Sequence, residues 1–320
     1  MVKKKILWAI GHGEIVFLFL FLLFYVIFSN IATGFSSSGI LHLILLVGAE
    51  LGIITIGMSL LIISGEIDLS VASVFVFSTF ITLTATNRGV PFALAALIAL
   101  SCGCLIGLLN GCLTVKLRIP SFIVTLGGLL LWRAIVAGIT SGEPTFYERE
   151  PSLFLSSLSG QVGLVPKLFF WFVGLAVIFS IVLTRTKFGN WVFAVGGDKE
   201  TARALGVRAD RVKIACFMIT STLAAFAGVT YLGTMKWFMS RVGMTQSGYG
   251  LELETICVAI MGGASFAGGV GSIPAACLAA LAFSSFKNGF ILMGISSYWL
   301  DVFAAILLIT FVILHTVRKR

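Results

Sequence analysis

Charged side chains are scarce in this sequence. Only 11% of the 320 residues are Asp, Glu, Lys or Arg, and 58% are hydrophobic, whereas soluble globular proteins carry about 25% charged residues. A chain with so little polar surface cannot cover a water-facing globule, and its mean hydropathy of +1.09 indicates lipid as its solvent. The composition therefore excludes an ordinary soluble protein.

Motifs for nucleotide hydrolysis and metal catalysis are also missing. The sequence contains no G-x-x-x-x-G-K-[ST] phosphate loop and no H-E-x-x-H segment, which are the signatures of P-loop ATPases and zinc proteases. Its histidines are His12, His42 and His315, far apart along the chain. A membrane enzyme is therefore a poor interpretation, and if ATP powers this protein, a partner must hydrolyse it.

The cysteines and basic residues point to no cofactor or polynucleotide. Six cysteines lie in apolar segments without any C-x-x-C pair, which is typical of small packing residues and predicts neither a disulfide framework nor a zinc site. The net charge of +9 comes from bases scattered over the loops, with no aromatic-interleaved patch for nucleic acid. We expect this chain to bind no metal and no cofactor.

Long charge-free runs are the main positive feature. Ile15–Ala49, Gly89–Val115 and Thr255–Phe286 contain 35, 27 and 32 residues without a charge, and about 20 apolar residues suffice to cross a bilayer. We predict an all-α integral membrane protein, residues 1–320 forming one transmembrane domain with about ten helices. The predicted spans are 15–35, 40–63, 69–87, 90–115, 120–140, 167–184, 213–235, 252–268, 271–291 and 298–316.

The basic residues predict the orientation of these spans. Ten crossings put both termini on one side, and that side receives fifteen of the 22 lysines and arginines, against five on the other. Basic loops favour the cytoplasm, so both termini are expected there. Lys3–Lys5 precede a long apolar run without a clear cleavage site, which favours an uncleaved first span. The largest loops are 141–166 outside and 185–213 inside.

The inner loop contains the signals of a short capped helix. Asp198 is a favourable N-cap and Gly206 a favourable C-terminal stop, and the two turns between them start with an acidic residue, Glu200, as the helix dipole prefers. Ala202 and Leu205 are three apart and are expected to share a face. Such a helix could merely connect two spans, lie in the membrane lipid interface, or dock a partner.

Four segments, in order along residues 45–310, resemble the permeases of ABC importers of the ribose, xylose and autoinducer-2 type. They are Ile63–Ser73 (ISGEIDLSVAS), Leu117–Gly127 (LRIPSFIVTLG), Phe193–Val207 (FAVGGDKETARALGV) and Gly250–Ser272 (GLELETICVAIMGGASFAGGVGS). The sequence departs from the family pattern at Glu66 and Ala72, where glycine is frequent, and at Met261, where leucine is common. These departures affect the identity of the solute rather than the family.

The resemblance implies a machine of several subunits. A type II-like ABC importer permease of the bacterial inner membrane would translocate a monosaccharide or similar small polar solute by alternating access. It would pair with a second copy or a paralogue, dock on an ATP-binding subunit that uses the ATP, and receive solute from a periplasmic binding protein. The inner loop would then be the coupling element, whose movement tilts the flanking spans 167–184 and 213–235. Its predicted residues are Gly196, Gly197, Asp198, Glu200, Ala202, Arg203, Leu205, Gly206 and Val207, with the glycines allowing tight turns at both ends.

Polar residues in or beside the spans are candidates for a solute pathway or gate. A charge at the membrane centre costs about 2.5–3.5 kcal/mol on insertion scales, so these side chains should face protein or water. For each of them interhelical contact is the commoner role, and Asp68 could instead cap the following span. The candidates are Glu66, Asp68, Asn110, Thr125, Trp132, Arg133, Glu252 and Glu254. The alternative function is a ten-span ion-coupled secondary transporter, which would want a midplane carboxylate and no coupling helix.

Overall fold

The fold is almost wholly helical. The computed structural model describes residues 2–149, 152–235, 237–238, 248–296, 299, 302–306 and 309–310. Within these ranges the helices are α1 (Val2–Ile31), α2 (Ser38–Ile63), α3 (Val71–Asn87), α4 (Phe92–Lys116), α5 (Ser121–Thr140), α6 (Leu153–Leu158), α7 (Lys167–Arg185), α8 (Lys187–Gly197), α9 (Lys199–Ala204), α10 (Ala209–Met235), α11 (Leu251–Met261) and α12 (Ile273–Leu292). The strands are β1 (Thr145–Phe146), β2 (Gln161–Val162), β3 (Val165–Pro166) and β4 (Trp237–Phe238).

Seven helices among the described residues are long and apolar enough to cross a membrane. They are α1 from Glu14 onward, α2, α4, α5, α7, α10 and α12, and each coincides with a predicted span. The predicted span 69–87 corresponds to α3, an apolar helix of 17 residues that is slightly shorter. The chain is therefore a multi-pass membrane protein.

The last predicted spans have different outcomes. The prediction of a continuous helix over 252–268 is wrong, because α11 ends at Met261 and Gly263 adopts a φ of 91° in the turn that follows. At 1.5 Å per residue the 11 residues of α11 reach about 16 Å, roughly half of the hydrocarbon core. The predicted span 298–316 lies largely outside the described residues, so the count of ten is not confirmed.

The chain forms two compact units, each assembled from segments that are distant in the sequence. Unit 1 consists of residues 1–66, 162–209 and 253–320, and unit 2 of residues 67–161 and 210–252. Helix α2 is the buried centre of unit 1, where it packs against α7 and α12. Gly48 permits this contact, since a Cβ there would lie 2.8 Å from Leu281 Cδ2.

Small residues also bring helices together in unit 2. Gly103, Gly107 and Gly111 recur every fourth residue on α4 and face α10, which is the spacing of close-packed membrane helices. A Cβ on Gly107 would lie 2.5 Å from the carbonyl oxygen of Phe217. Further along α10, Thr79 of α3 donates a hydrogen bond of 2.9 Å to the Gly228 carbonyl.

The loop 141–166 contains a short helix, α6. Helix α6 starts after Ser152, whose hydroxyl accepts a hydrogen bond of 3.1 Å from Leu155 N–H. Leu155 and Leu158 are buried, while Leu153 is almost fully exposed. Helix α6 is therefore packed onto unit 2.

Candidate functional site

Residues 187–207, called here the coupling segment, fold into two consecutive helices. The second, α9, begins at Lys199 and confirms the helix predicted after Asp198. The first, α8, was missed because its residues were assigned to a loop. Its signal is present in the sequence: Thr186 caps Gly189 N–H at 3.2 Å, and the buried pair Val192 and Val195 is spaced three apart.

Asp198 caps α9 as its sequence predicts. Its Oδ1 accepts hydrogen bonds of 3.0 Å from the backbone N–H groups of both Glu200 and Thr201. The bond from Thr201, and then that from Glu200, holds the pKa of this exposed carboxyl below its usual range, because each favours the ionised form. Arg203 and Glu200 add an ion pair of 3.0 Å on the helix surface.

The C-terminal end of α9 confirms the stop at Gly206. This residue has a φ of 84°, and the N–H of Val207 donates a 3.0 Å hydrogen bond to the Ala202 carbonyl. The predicted shared face of Ala202 and Leu205 is wrong, since Ala202 is 2% exposed and Leu205 is 79% exposed. The helix ends at Ala204, so Leu205 leaves the helical register and projects outward.

Gly196 and Gly197 do not form the predicted turn. Both lie in the last turn of α8 and neither has a positive φ. Gly196 serves a different purpose, because a Cβ there would overlap the carbonyl oxygen of Ile63 at the end of α2. The glycine is required by a close approach of two backbones and not by a bend.

Asp68 lies at the centre of a buried polar network in unit 2. Its Oδ1 accepts bonds of 2.7 Å from Ser70 N–H and 2.6 Å from Ser70 Oγ, and its Oδ2 accepts one of 3.3 Å from Ser221 of α10. Asn110 of α4 donates to Ser70 Oγ at 2.9 Å. Asp68 thus accepts the N–H of the residue immediately before α3, as a cap at the start of that span would, and interhelical contact also describes both Asp68 and Asn110.

Two further candidates make local contacts. Thr125 is fully buried and its hydroxyl donates to the Ser121 carbonyl of its own helix at 2.8 Å. The backbone N–H of Glu66 donates to the Leu61 carbonyl at 3.1 Å in the turn that ends α2. The hydroxyl bond assigns Thr125 to local structure. The bond of Glu66 involves only its backbone, so the role of its side chain stays a prediction.

Arg133 and Glu252 come together in unit 2. Arg133 Nη2 lies 3.6 Å from Glu252 Oε2, and it donates a hydrogen bond of 3.2 Å to the Gly248 carbonyl. The neighbouring Trp132 packs against Phe77, with 5.2 Å between the centroids of the two rings. Within the described part of the chain, no acceptor reaches the buried Nε of Arg133. The guanidinium faces protein, as expected for a charge in a span.

Glu254 has a separate partner in unit 1. Lys287 of α12 contacts its Oε1 at 2.5 Å, and both interact electrostatically with Glu50 of α2. We call Glu50, Glu254 and Lys287 the charge cluster. Lys287 was missed among the site residues, although a lone lysine at the end of the long charge-free run Thr255–Phe286 requires a counter-ion in the membrane.

The chain has clear relatives among known proteins. A family model described as "Branched-chain amino acid transport system / permease component" matches residues 40–312. The chain is 33% identical over 279 residues to a xylose/arabinose import permease of Sulfolobus acidocaldarius, covering 85% of this chain and 76% of that protein.

Two more relatives have a similar sequence identity to this chain. An autoinducer 2 import system permease of Yersinia enterocolitica is 32% identical over 80% of this chain and 69% of its own length. An inner membrane ABC transporter permease of Escherichia coli is 32% identical over 88% of this chain and 85% of its own length. No solved structure matches the chain significantly.

Proposed function

Because the chain belongs to the family of branched-chain amino acid transport system permease components, we propose that it imports a monosaccharide or similar small polar solute by alternating access. It is a permease of an ABC importer and not an enzyme. The choice of a sugar as the solute is supported by the likeness to a xylose/arabinose permease over 85% of the chain. The name of the family would suggest branched-chain amino acids instead.

A separate ATP-binding subunit supplies the energy in this proposal. The chain has no phosphate-loop motif, and the coupling segment provides a capped helix with an exposed leucine at its end. The permease works as a pair, with a second copy or a paralogue, and takes its solute from a periplasmic binding protein. Family membership argues against the ion-coupled alternative.

The topology in this proposal has ten crossings with both termini in the cytoplasm of a bacterial inner membrane. The seven long helices and the shorter α3 supply eight of them. The segment that contains α11, which is helical over only part of the membrane thickness, and residues 298–316 supply the other two. The excess of basic residues in the loops on one side supports this orientation. It puts the coupling segment in the cytoplasm and the loop 141–166 outside.

Trp132, Arg133 and Glu252 are retained as candidates for solute contact. An aromatic ring and a guanidinium suit a polyhydroxylated solute, since ligand sites combine apolar surface with a few placed polar groups. Asp68, Asn110 and Thr125 are better explained by the contacts they already make. Unit 2 thus contributes the polar group proposed to touch the solute.

Uptake measurements test the function. Cells that depend on this importer should accumulate a labelled pentose or hexose, should lose that uptake when the gene is deleted, and should lose it when ATP is depleted while the proton gradient is maintained. Persistence of uptake without ATP would support the ion-coupled alternative. Accumulation of leucine in place of any sugar would overturn the proposed solute class.

Labelling of introduced cysteines tests the orientation. In a variant whose six native cysteines are replaced, a cysteine at Thr201 of the coupling segment should react with a membrane-impermeant maleimide only after the cells are opened. A cysteine at Leu153 of α6, which is exposed in the outer loop, should react in intact cells. The reverse pattern would refute the proposed topology.

A further inference from the structure

Three segments of unit 1 meet around one carbonyl group. The Ile63 oxygen ends α2 and accepts a hydrogen bond of 2.8 Å from Gly269 N–H, in the turn between α11 and α12. Gly196 at the end of α8 packs against the same oxygen. We call Ile63, Gly196, Gly268, Gly269 and Gly271 the glycine junction, since its contacts are made largely by backbone atoms.

The glycine junction has no room for added side chains. A Cβ on Gly196 would overlap Ile63 O and lie 2.7 Å from Gly269 N, and a Cβ on Gly268 would overlap the backbone of Gly196. A Cβ on Gly271 would lie 2.6 Å from Ile63 Cδ1. Packing this close cannot absorb a displacement by compression, so the three segments must move together or separate.

The junction lies next to the helix proposed to dock the ATP-binding subunit. Only Asp198 separates α8 from α9, and the two helices pack together. The exposed Leu205 lies at the far end of α9, whereas Val192 and Val195 bury one face of α8 in unit 1. A displacement of α9 is therefore transmitted to the glycine junction through α8, which is short and packed against unit 1.

From the junction, two helices lead to the charge cluster. Helix α2 runs back from Ile63 to Glu50, and α12 runs from Ile273 to Lys287; at 1.5 Å per residue each path covers roughly 20 Å. The two helices pack against each other, and beyond Glu50 they are joined by a hydrogen bond of 2.9 Å from Ser284 Oγ to the Ile44 carbonyl. They form one continuous element with the junction at one end and the charges at the other.

We infer that movement of the docked coupling segment is passed across the glycine junction to α2 and α12. This inference rests on the proposed function. The prediction from the sequence was that the flanking spans 167–184 and 213–235, the covalent neighbours of the loop, would tilt. The structure adds a non-covalent route to two helices that are distant in the sequence.

The first test compares two helical glycines in the complete importer. Gly196→Ala should retain normal amounts of the permease in the membrane and of bound ATP-binding subunit, and should lower solute uptake by roughly tenfold because the junction is overpacked. Gly174→Ala in α7 is the control, since a Cβ there has no atom within 4 Å, and should transport normally. Normal uptake by Gly196→Ala would overturn the inference.

If the Gly196→Ala protein does not accumulate in the membrane, a second pair of variants tests the inference. Gly271→Ala should lower uptake, and the double variant Gly271→Ala/Ile63→Ala should recover most of it, because the atoms in the way are the end of the Ile63 side chain. Lack of recovery, with the single variant Ile63→Ala active, would contradict the inference.

The same preparations separate this inference from the proposed function. If the function is wrong, no ATP-binding subunit will purify with the wild-type chain. If only the glycine junction is wrong, the subunit will be present and Gly196→Ala will transport like the wild type.

Discussion

Replacing Leu205 by arginine is expected to leave the protein folded in the membrane and to abolish most solute uptake. Leu205 is 79% exposed and follows the last residue of α9, so its replacement removes no contact from the core. In the docked complex the same position would be covered, and burial of an unpaired charge at an interface is costly. Uptake should fall by roughly thirty-fold or more, the effect of a 2 kcal/mol contact residue.

The loss should come from docking. The ATP-binding subunit should purify with the wild-type chain and with Leu205→Met, a volume-conserving change, but not with Leu205→Arg. Undiminished uptake in the arginine variant would count against the coupling segment as the docking site. Loss of the permease itself from the membrane would show that Leu205 has a structural role that its exposure does not suggest.

Lys287→Met is expected to destabilise the protein severely. The substitution removes the ion-pair partner of Glu254 and leaves two carboxylates, Glu50 and Glu254, close together with no cation of the charge cluster. Breaking one side of a fully buried pair costs about 3–5 kcal/mol, and this pair, whose two side chains are 27% and 11% exposed, should cost part of that amount. The midpoint of thermal unfolding in detergent should fall sharply, and the amount of protein in the membrane should fall with it.

Second-site changes distinguish a charge effect from a packing effect. Lys287→Arg keeps the charge and should stay close to the wild type in stability. The double variant Lys287→Met/Glu254→Gln removes both partners and should recover most of the lost stability, since replacing a whole buried pair is often nearly neutral. Equal instability of the single and double variants would show that the lysine stem, and not its charge, matters.

The two predictions address opposite ends of the same unit. Leu205 concerns the exposed end of the coupling segment, and Lys287 concerns the charge cluster in which α2 and α12 take part. A variant at the first position should uncouple a stable protein, whereas one at the second should unfold it. Measuring uptake and stability for both variants therefore separates the docking surface from the framework that it moves.

Local signals in the sequence predicted much of the fold and part of the site. The charge-free runs identified the long helices, and Asp198 and Gly206 marked the ends of α9, because capping depends on residues two to five positions away. The failure at Leu205 has a local cause as well, since the helix stopped one residue earlier than the pattern suggested.

The sequence by itself determined that this protein resides in a bilayer, where its seven long helices lie, and which family it resembles, because each of these follows from composition or from neighbouring residues. Only the tertiary structure decided which groups meet. Asp68 reaches Ser221 across 153 positions, Lys287 reaches Glu254 across 33 positions, and Gly196 meets Ile63 and Gly269. No periodicity encodes such pairs, since they are set by which helix faces pack together and at what height along their axes.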